Sequence, residues 1–432
     1  MRLVRSRDRG FKKLLGDLSR RGVQDTGGVE EKVLRILDDV RRRGDEALQE
    51  HTRVFDGVDC RPEQFPVGKR EVRRAYRQVS REVLQLLETA AGRIRDFHEK
   101  QRAESWFTAG EEGGLMGQLV TPLERVGLYV PGGKAAYPSS VLMNAIPAQV
   151  AGVPSLAICT PAPEGKLNPH VLVAADLLGL EEIYRLGGAQ AVGALAYGTE
   201  RIPRVDKIVG PGNIYVATAK KIVYGEVDID MIAGPSEILI VADDGAEPAH
   251  MAADLLSQAE HDEMAVCILV TDSLKLAEKV RVETQRQVDL LPGGARERAR
   301  AALEGQGVLI VVRHLREAFT IVNAVAPEHL EVVTEDPLSW LPAIRNAGSI
   351  FLGPDTPEAV GDYLAGPNHV LPTGGTARFF STLGVDSFQK RSNVIYFSRA
   401  DLDRWGKKVA RFARLEGLEA HARSVLARKP KR

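Results

Sequence analysis

The sequence contains little cysteine and no long apolar run. Only three of its 432 residues are cysteines, an odd number that does not suggest a disulfide framework. Cys159 and Cys267 lie in apolar, strand-like segments, where a thiol usually packs without reacting. No segment approaches the roughly 18 consecutive apolar residues of a membrane-spanning helix. We therefore expect a protein of the reducing cytoplasm that has no membrane partner.

The sequence also lacks net charge, because 58 Lys and Arg residues balance 58 Asp and Glu residues. A balanced charge gives no general attraction to nucleic acid. The balance hides a split, since residues 1–22 carry a net charge of +6, residues 399–432 carry +7, and the body between them carries −13. This distribution predicts basic arms at both ends that contact an acidic body.

Several common catalytic motifs are absent. The segment GPGNIY has Tyr215 where the third glycine of a dinucleotide-binding fingerprint belongs. The segment GGKA has Ala135 where a phosphate-binding P-loop needs Ser or Thr to hold magnesium. The H-E-x-x-H, paired C-x-x-C and G-x-S-x-G motifs are also missing. These absences leave metal-assisted acid–base chemistry as the type most available to the chain.

The hydrophobic pattern predicts an α/β fold. Residues 23–105 have apolar residues at helical spacing. Short apolar runs then alternate with helix-length segments in two series, which predicts parallel sheets. We expect two Rossmann-like parallel-sheet units with helices on both faces, plus helical N-terminal and C-terminal arms. The predicted strands are RVGLYVP, SLAICT, EEIYRLG and DKIVGPG, followed by SEILIVAD, AVCILVT, GVLIVV, HLEVVT and GSIFLG.

Glycine-rich turns follow three strands of the first series, in the segments LYVPGGK, RLGGAQ and IVGPGN. Ligands of open parallel sheets bind beyond the carboxyl ends of the strands. We expect the Gly, Asn and acid–base residues to gather at those ends. Such turns are as often simple tight connections, so a nucleotide site and a structural turn both remain open.

Two pairs of residues suggest metal or proton chemistry. Gln258 and His261 lie three residues apart at the end of a helix predicted to begin near Pro248, which suits a metal but also an ordinary polar helix end. Glu328 and His329 precede a predicted strand, and an adjacent carboxylate and imidazole can share proton transfer. Each pair on its own also fits an unremarkable surface.

Two further segments contain ionisable residues. The loop GDYLAGPNHVLPTGG contains Asp362 and His369, and loops held by sheets often carry function. The tail segment RLEGLEAHARS contains Glu416 and His421, which lie about 140° apart on a helix and so flank a site rather than share a face.

Five segments together resemble the histidinol dehydrogenase family: SQAEHD, GPSE, APEHLE, GDYLAGPNHVLPT and EGLEAHA. The similarity runs from about residue 25 to residue 422. It implies oxidation of L-histidinol to L-histidine through bound L-histidinaldehyde, in two hydride transfers to NAD⁺, as the last step of histidine biosynthesis. It also implies one Zn²⁺ per subunit and a homodimer that exchanges its C-terminal tails.

The resemblance implies a role for particular residues. His329 would take the hydroxyl proton, and Glu328 would activate water for the second oxidation. His369 matches a family position of lesser rank. The implied metal ligands are Gln258, His261, Asp362 and the partner subunit's His421; the substrate contacts are these four with Ser236, His329 and Glu416; and the NAD contacts are Tyr129, Gln190 and Asn213.

Together with these roles, the sequence predicts that the chain is divided into four parts. Residues 1–22 form a basic arm, residues 23–128 and 235–385 the metal-binding α/β unit, residues 129–234 the NAD unit, and residues 386–432 a basic helical tail. The alternatives are a zinc- and NAD-dependent dehydrogenase of another amino alcohol or polyol, a zinc hydrolase in which Glu328 activates water, and a non-catalytic metal-binding protein.

Overall fold

The computed structural model describes residues 1–21, 27–132, 137–232 and 234–428. These residues form parallel sheets of six and five strands and an antiparallel sheet of three. Helices flank the parallel sheets, so the predicted α/β fold is confirmed. Within these ranges, no helix is both long enough and apolar enough to cross a membrane. The rejected P-loop position Ala135 lies outside them.

Strands and helices alternate through most of the chain. In the described ranges the strands are β1 (Arg2–Arg5), β2 (Trp106–Ala109), β3 (Leu115–Pro122), β4 (Arg125–Tyr129), β5 (Ser155–Cys159), β6 (Glu182–Tyr184), β7 (Lys207–Val209), β8 (Asp228–Ile229), β9 (Glu237–Ala242), β10 (Val266–Thr271), β11 (Val308–Val311), β12 (His329–Val333), β13 (Ser349–Leu352) and β14 (Gln389–Tyr396). The α-helices are α1 (Phe11–Ser19), α2 (Val29–Arg43), α3 (Asp45–Phe55), α4 (Lys69–Tyr76), α5 (Arg81–Glu99), α6 (Pro138–Ala151), α7 (Pro169–Leu177), α8 (Gly188–Tyr197), α9 (Ile214–Val223), α10 (Pro248–Ala259), α11 (Leu274–Val288), α12 (Gly293–Gly305), α13 (Leu315–Val325), α14 (Glu358–Tyr363), α15 (Arg399–Leu415) and α16 (Glu419–Leu426). Short 3₁₀ helices cover Pro62–Gln64, Pro163–Gly165, Pro337–Ala343, Thr376–Arg378 and Val385–Phe388.

The two parallel sheets share one strand order. The five-stranded sheet runs β6-β5-β4-β7-β8, and the six-stranded sheet runs β1-β11-β10-β9-β12-β13. In each unit the chain therefore forms three successive strands toward one edge of the sheet. The next two strands lie on the other side of the first of these three. Apart from the additional β1, the second unit repeats the topology of the first, which fits the two similar series of strands in the sequence.

All nine predicted strands form. Every residue of β9 and β10 is buried, because helices cover both faces of a parallel sheet and leave no polar side. The same burial explains the two strand cysteines. Cys159 and Cys267 are fully buried, and loss of solvent raises the pKa of both thiols, that of Cys159 to about 12. As the sequence suggested, these thiols act as packing groups.

The helices predicted over residues 23–105 form in the described part of the chain. They pack on the five-stranded sheet, whereas we expected them to pack on the six-stranded sheet. In α2 the buried residues Val33, Ile36, Leu37 and Val40 lie on one face, and this face packs against α8 and α9 of the five-stranded unit. Helix α5 likewise packs on α6. The assignment of residues 23–128 to the metal-binding unit is therefore wrong for these helices, because their apolar faces complete the core around the five-stranded sheet.

The N-terminal segment is not a separate arm. Strand β1 pairs in parallel with β11 and forms the edge of the six-stranded sheet. Helix α1 then packs against α13, with Phe11 and Leu18 buried in the same core. The sequence pattern did not predict β1, because it is an edge strand that contains basic residues and its side chains are only partly buried. The described residues 1–21 thus belong to the six-stranded unit.

The C-terminal tail begins with a strand that the sequence pattern did not indicate. Strand β14 pairs antiparallel with β3, which also pairs with β2. Helices α15 and α16 follow and pack mainly on each other. Two exposed ion pairs join the tail to its own chain, since Arg404 contacts Glu111 at 3.1 Å and Glu112 at 2.8 Å. The expectation of a purely helical tail from residue 386 is therefore wrong.

A buried ion pair fixes the turn between β7 and α9. Lys220 and Asp230 form an ion pair in which the two side chains are 2% and 1% exposed. Lys220 also donates to the Gly210 carbonyl at 2.9 Å, and Asp230 accepts from the Gly210 amide at 2.7 Å. Gly210 has φ +113°, and a Cβ there would collide with the Tyr129 carbonyl. The pair therefore holds the Gly210 peptide group in a conformation, and at a distance from Tyr129, that only glycine allows.

Breaking this pair on one side should destabilise the protein strongly. Lys220→Met leaves the Asp230 carboxylate buried without its cation, so we expect the free energy of unfolding to fall by about 3–5 kcal/mol, measured by urea denaturation. Lys69→Met is the matched control, because the Lys69–Glu181 pair is 83% and 77% exposed and should contribute nothing measurable. Equal stability of the two variants would contradict this interpretation.

Candidate active site

Glu328 and His329 lie at the amino end of β12. His329 is the first residue of that strand and pairs in register with Ile238 of β9. The expectation that the acid–base residues gather at carboxyl ends is therefore wrong for this sheet. The local sequence explains the placement, since α13 ends at Val325, Ala326 is left-handed with φ +50°, and a proline follows directly. The chain thus turns sharply and enters β12 with both side chains buried.

His329 is held as a neutral base with one nitrogen free. Its Nδ1 lies 2.9 Å from the main-chain carbonyl of Glu237. A carbonyl only accepts, so Nδ1 carries the proton and Nε2 carries the lone pair. Nε2 is buried, has no hydrogen-bond partner among the described residues, and lies 3.9 Å from Asp362 Oδ1. Burial lowers the pKa of His329 to about 4, so the ring is neutral at pH 7.

Glu328 is a buried carboxyl group beside this imidazole. Its Oε2 accepts from the main-chain amide of Glu237 at 2.8 Å and lies 3.6 Å from His329 Nδ1. Burial, with a smaller contribution from the charge of Glu237, raises the pKa of Glu328 well above its ordinary value. A carboxyl group of this kind accepts a proton more readily than a solvated one, as a general base at neutral pH requires.

Asp362 and His369 border the same small cavity. His329, Asp362 and His369 line a cavity of about 120 Å³. Burial raises the pKa of Asp362 to about 6 and lowers that of His369 to about 4. His369 Nδ1 lies 3.1 Å from the Asp362 carbonyl, and the neighbouring Asn368 donates to the Met143 carbonyl of α6 at 2.6 Å. The loop GDYLAGPNH thus brings its two ionisable residues together and joins the two parallel-sheet units.

Glu358 belongs to the site, although the sequence reasoning did not include it. The ligand atoms of His329, Glu358 and Asp362 lie within 4.8 Å of one another. Glu358 is 2% exposed, and burial together with neighbouring carboxylates raises its pKa strongly. One signal was available, since Glu358 and Asp362 are four residues apart and share a face of α14.

Gln258 and His261 approach this group from α10. The side-chain oxygen of Gln258 lies 3.2 Å from both Glu358 oxygens and 3.1 Å from the Glu237 carbonyl, so these acceptors face one another unless the amide turns or a cation lies between them. His261 follows the end of α10 and is exposed, yet partial loss of solvent lowers its pKa. Its charge also depresses the pKa of His329. Gln258 thus lies beside Glu358 in the structure, whereas a role of His261 as a metal ligand stays a prediction.

The donor set fits a divalent cation. His329 offers an unpartnered buried nitrogen, and two buried carboxyl groups, Glu358 and Asp362, offer oxygens beside it. Mutual burial makes this group unfavourable when it is fully ionised, and a cation would remove that cost. Of the ligands that the sequence implied, Asp362 is in this group, and Gln258 contacts Glu358.

Ser236 precedes β9 next to this group. It is half-buried, and its carbonyl accepts from Val266. Its neighbour Glu237 contacts both Glu328 and His329 through the main chain. Ser236 is therefore adjacent in the chain to a residue that contacts the acid–base pair, and its contact with a substrate stays a prediction.

A chain of carboxyl groups continues behind the cavity. Glu331 accepts from the Glu358 amide at 2.9 Å and also hydrogen bonds with Asp254. Glu331 is 1% exposed, and burial raises its pKa strongly. Burial also raises the pKa of Asp254, to about 6. Both groups therefore bind a proton more tightly in the folded chain than they would in water.

The three implied nucleotide contacts lie at the carboxyl end of the five-stranded sheet. Tyr129 ends β4, Asn213 follows β7, and the strand order reverses between these neighbouring strands. Such a reversal is the usual ligand position of a parallel sheet. The Tyr129 hydroxyl accepts from the Gly188 amide at 3.0 Å, and Asn213 caps α9 through its side-chain oxygen. Gln190 is 1% exposed, and neither polar atom of its amide has a partner among the described residues.

This arrangement fits a dinucleotide. The Tyr129 hydroxyl proton and the Asn213 amide nitrogen are free to donate, because the existing contacts use only their oxygens as acceptors. The N-termini of α8 and α9 lie at the same end of the sheet, where main-chain amides favour phosphate groups. The unpartnered Gln190 amide also requires a polar ligand or water.

Glu416 and His421 lie in the tail and are exposed. Glu416 follows the last residue of α15, and His421 lies in the first half of α16. Neither is among the residues that line the cavity of their own chain.

Comparisons with known proteins agree on one family. The sequence profile described as histidinol dehydrogenase matches residues 19–429. The chain is 55% identical over 428 residues to the histidinol dehydrogenase of Syntrophotalea carbinolica, covering 99% of each protein. It is also 55% identical over 430 residues to that of Geobacter metallireducens, covering 99% of this chain and 98% of that protein. The crystal structure of histidinol dehydrogenase from Elizabethkingia anophelis superimposes with a TM-score of 0.93 at 36% identity, covering 99% of this chain and 98% of that one.

The buried carboxyl groups predict a pH dependence of stability. Folding raises the pKa of Asp254 to about 6 from an unfolded value of roughly 3.9. The resulting stabilisation is present in full below the unfolded pKa and is lost as the pH rises through 6. Asp254→Asn should therefore gain stability relative to the parent chain as the pH rises from 5 to about 7.5, measured by urea denaturation with chelator present.

Asp244→Asn provides the control, because it removes one negative charge from an exposed turn. We expect its stability relative to the parent chain to stay constant over this pH range. A constant difference for Asp254→Asn as well would contradict the raised pKa of Asp254.

Proposed function

The chain belongs to the histidinol dehydrogenase family, and we propose that it oxidises L-histidinol to L-histidine through bound L-histidinaldehyde, with two NAD⁺ as hydride acceptors. This reaction is the last step of histidine biosynthesis. The observation that carries the proposal is the neutral His329, whose free Nε2 faces a cavity lined by Asp362 and His369.

The first oxidation needs a base at the substrate hydroxyl. His329 Nε2 is suited to take this proton, because Nδ1 is committed to the Glu237 carbonyl and the ring is neutral. The second oxidation needs water added to the aldehyde. The buried carboxyl group of Glu328 is suited to take the proton of that water. Formation of a hydrate also explains why the site has no reactive thiol.

We also propose that the metal is Zn²⁺ and that it binds in this cavity. Gln258, His261 and Asp362 would hold it together with the partner subunit's His421. The bound ion would orient the substrate nitrogens and neutralise nearby carboxylates. Ser236, His329 and Glu416 would contact the substrate. The Gln258 oxygen already faces the Glu358 carboxyl in the structure, and a cation bound between these oxygens would favour that orientation.

We assign NAD⁺ to the carboxyl end of the five-stranded sheet. Tyr129 and Asn213 would donate to the dinucleotide, and the Gln190 amide would find its partners there. The cavity loop through Asn368 adjoins α6 of this unit. Hydride acceptor and substrate can therefore be held by different sheets and meet at the junction between them.

The number of NADH molecules formed per histidinol tests this function. We expect two for the parent chain, whereas a simple alcohol dehydrogenase gives one and a hydrolase none. Glu328→Gln should slow oxidation of supplied L-histidinaldehyde at least as much as oxidation of L-histidinol, on the order of 100-fold. Full activity of this variant in both steps would contradict the role of Glu328.

We further propose a homodimer in which each tail completes the partner's site. Glu416 and His421 are exposed and are not among the residues that line the cavity of their own chain. The tail also exposes large apolar side chains, including Phe412 (65%) and Leu415 (77%). An exposed apolar face of this kind is typical of a subunit interface. The basic tail would then be seated by charge and apolar packing together.

Mixing two inactive variants tests the exchange of tails. His421→Ala damages the tail, and Glu328→Gln damages the body. A mixed dimer has one site with an intact body and an intact tail, so refolding the two variants together should restore up to about half of the activity per mixed dimer. Glu328→Gln mixed with Gln258→Ala is the control, because both changes affect the body and no intact site can form. Recovery in neither mixture would contradict a tail-supplied ligand.

A further inference from the structure

Glu237 holds both proposed acid–base residues through its main chain. Its amide donates to Glu328 Oε2 at 2.8 Å, and its carbonyl accepts from His329 Nδ1 at 2.9 Å. The orientation of Glu328 and the tautomer of His329 therefore both depend on one peptide segment at the start of β9. A small rotation of this segment would move both side chains at once.

The side chain of Glu237 is in turn held by the N-terminal segment. Arg21 contacts both carboxylate oxygens of Glu237, with Nε at 2.6 Å from Oε1 and Nη2 on Oε2. The amide of Gly374 also donates to Oε1, at 2.9 Å. Arg21 and Glu237 are 10% and 3% exposed, so this fork-shaped pair is shielded from solvent.

Arg21 also contacts the end of α13, from which the chain continues to Glu328. Its Nη1 donates to the Val325 carbonyl at 2.7 Å and to the Leu18 carbonyl at 2.6 Å. Val325 ends α13, three residues before Glu328. The side chain thus joins the end of α13 to the start of β9, the two chain segments that carry Glu328, His329 and their hydrogen-bond partner. Arg21 is not among the residues that line the cavity.

We propose that Arg21 is a positioning residue that fixes the geometry of Glu328 and His329 through Glu237. This inference rests on the proposed function for the roles of Glu328 and His329. It also gives the N-terminal segment a task, since β1 and α1 attach Arg21 to the six-stranded unit on which the acid–base pair lies.

Substitution of Arg21 should reduce turnover more than substrate binding. Arg21→Met removes the fork, and we expect kcat for histidinol oxidation to fall on the order of 10- to 100-fold, with KM values for histidinol and NAD⁺ changed less than about threefold. Arg21→Lys restores the charge but cannot span both oxygens, so its kcat should be intermediate. Rates are measured below the unfolding temperature and normalised to bound zinc.

Two neighbouring variants separate positioning from general support of the fold. Ser19→Ala removes a hydrogen bond from α1 to the Ala324 carbonyl at 2.8 Å and leaves Glu237 untouched. Arg20→Met removes an exposed charge paired only weakly with Asp17. Both should keep the parent kcat even where Ser19→Ala lowers the melting temperature. A kcat loss in Ser19→Ala equal to that in Arg21→Met would overturn the proposal.

Hydrogen exchange provides a readout that does not depend on activity. The Glu237 amide is protected by Glu328, so a peptide containing residue 237 should exchange faster in Arg21→Met, and in Arg21→Lys if the first variant does not fold. Unchanged exchange together with unchanged kcat would overturn the proposal. A parent chain that forms no NADH from histidinol would instead contradict the proposed function. The exchange rates would still test whether Arg21 holds the segment around Glu237.

Discussion

Burial of acids and imidazoles around one small cavity is the constraint on which the site depends. Loss of solvent keeps His329 neutral and raises the pKa of Glu328, Glu358 and Asp362. Part of this cost is offset because Glu328 and His329 Nδ1 hydrogen bond with the main chain of Glu237. The same burial that makes the group unfavourable when ionised makes it suited to a cation and to proton transfer.

The two parallel sheets share a strand order but hold their candidate residues at opposite ends of the strands. The proposed nucleotide contacts include Tyr129 at the end of β4 and Asn213 after β7, whereas Glu328 and Glu237 precede or begin β12 and β9. The loop through Asn368 connects the second sheet to α6 of the first. One repeated topology therefore supports two different proposed sites, because the polar residues lie at different strand ends.

Main-chain contacts, rather than side-chain networks, orient the acid–base pair. A single residue, Glu237, donates to Glu328 and accepts from His329. A main-chain group cannot be lost by substitution, but it can be displaced if its segment moves. A buried Arg–Glu fork, formed by the turn that follows α1, anchors that segment in one position.

The sequence by itself determined the nine main strands and the helices that alternate with them, and its motifs named Glu328, His329 and Asp362 as candidates, because hydrophobic period and motif are local properties. It did not reveal β14, which is exposed along much of its length, or β1, whose basic residues masked a sheet edge. Only the tertiary structure decided which sheet the early helices cover, that Glu358 joins the site and that Arg21 supports it. These outcomes depend on packing between segments far apart in the chain, and such contacts leave no periodic trace in the sequence.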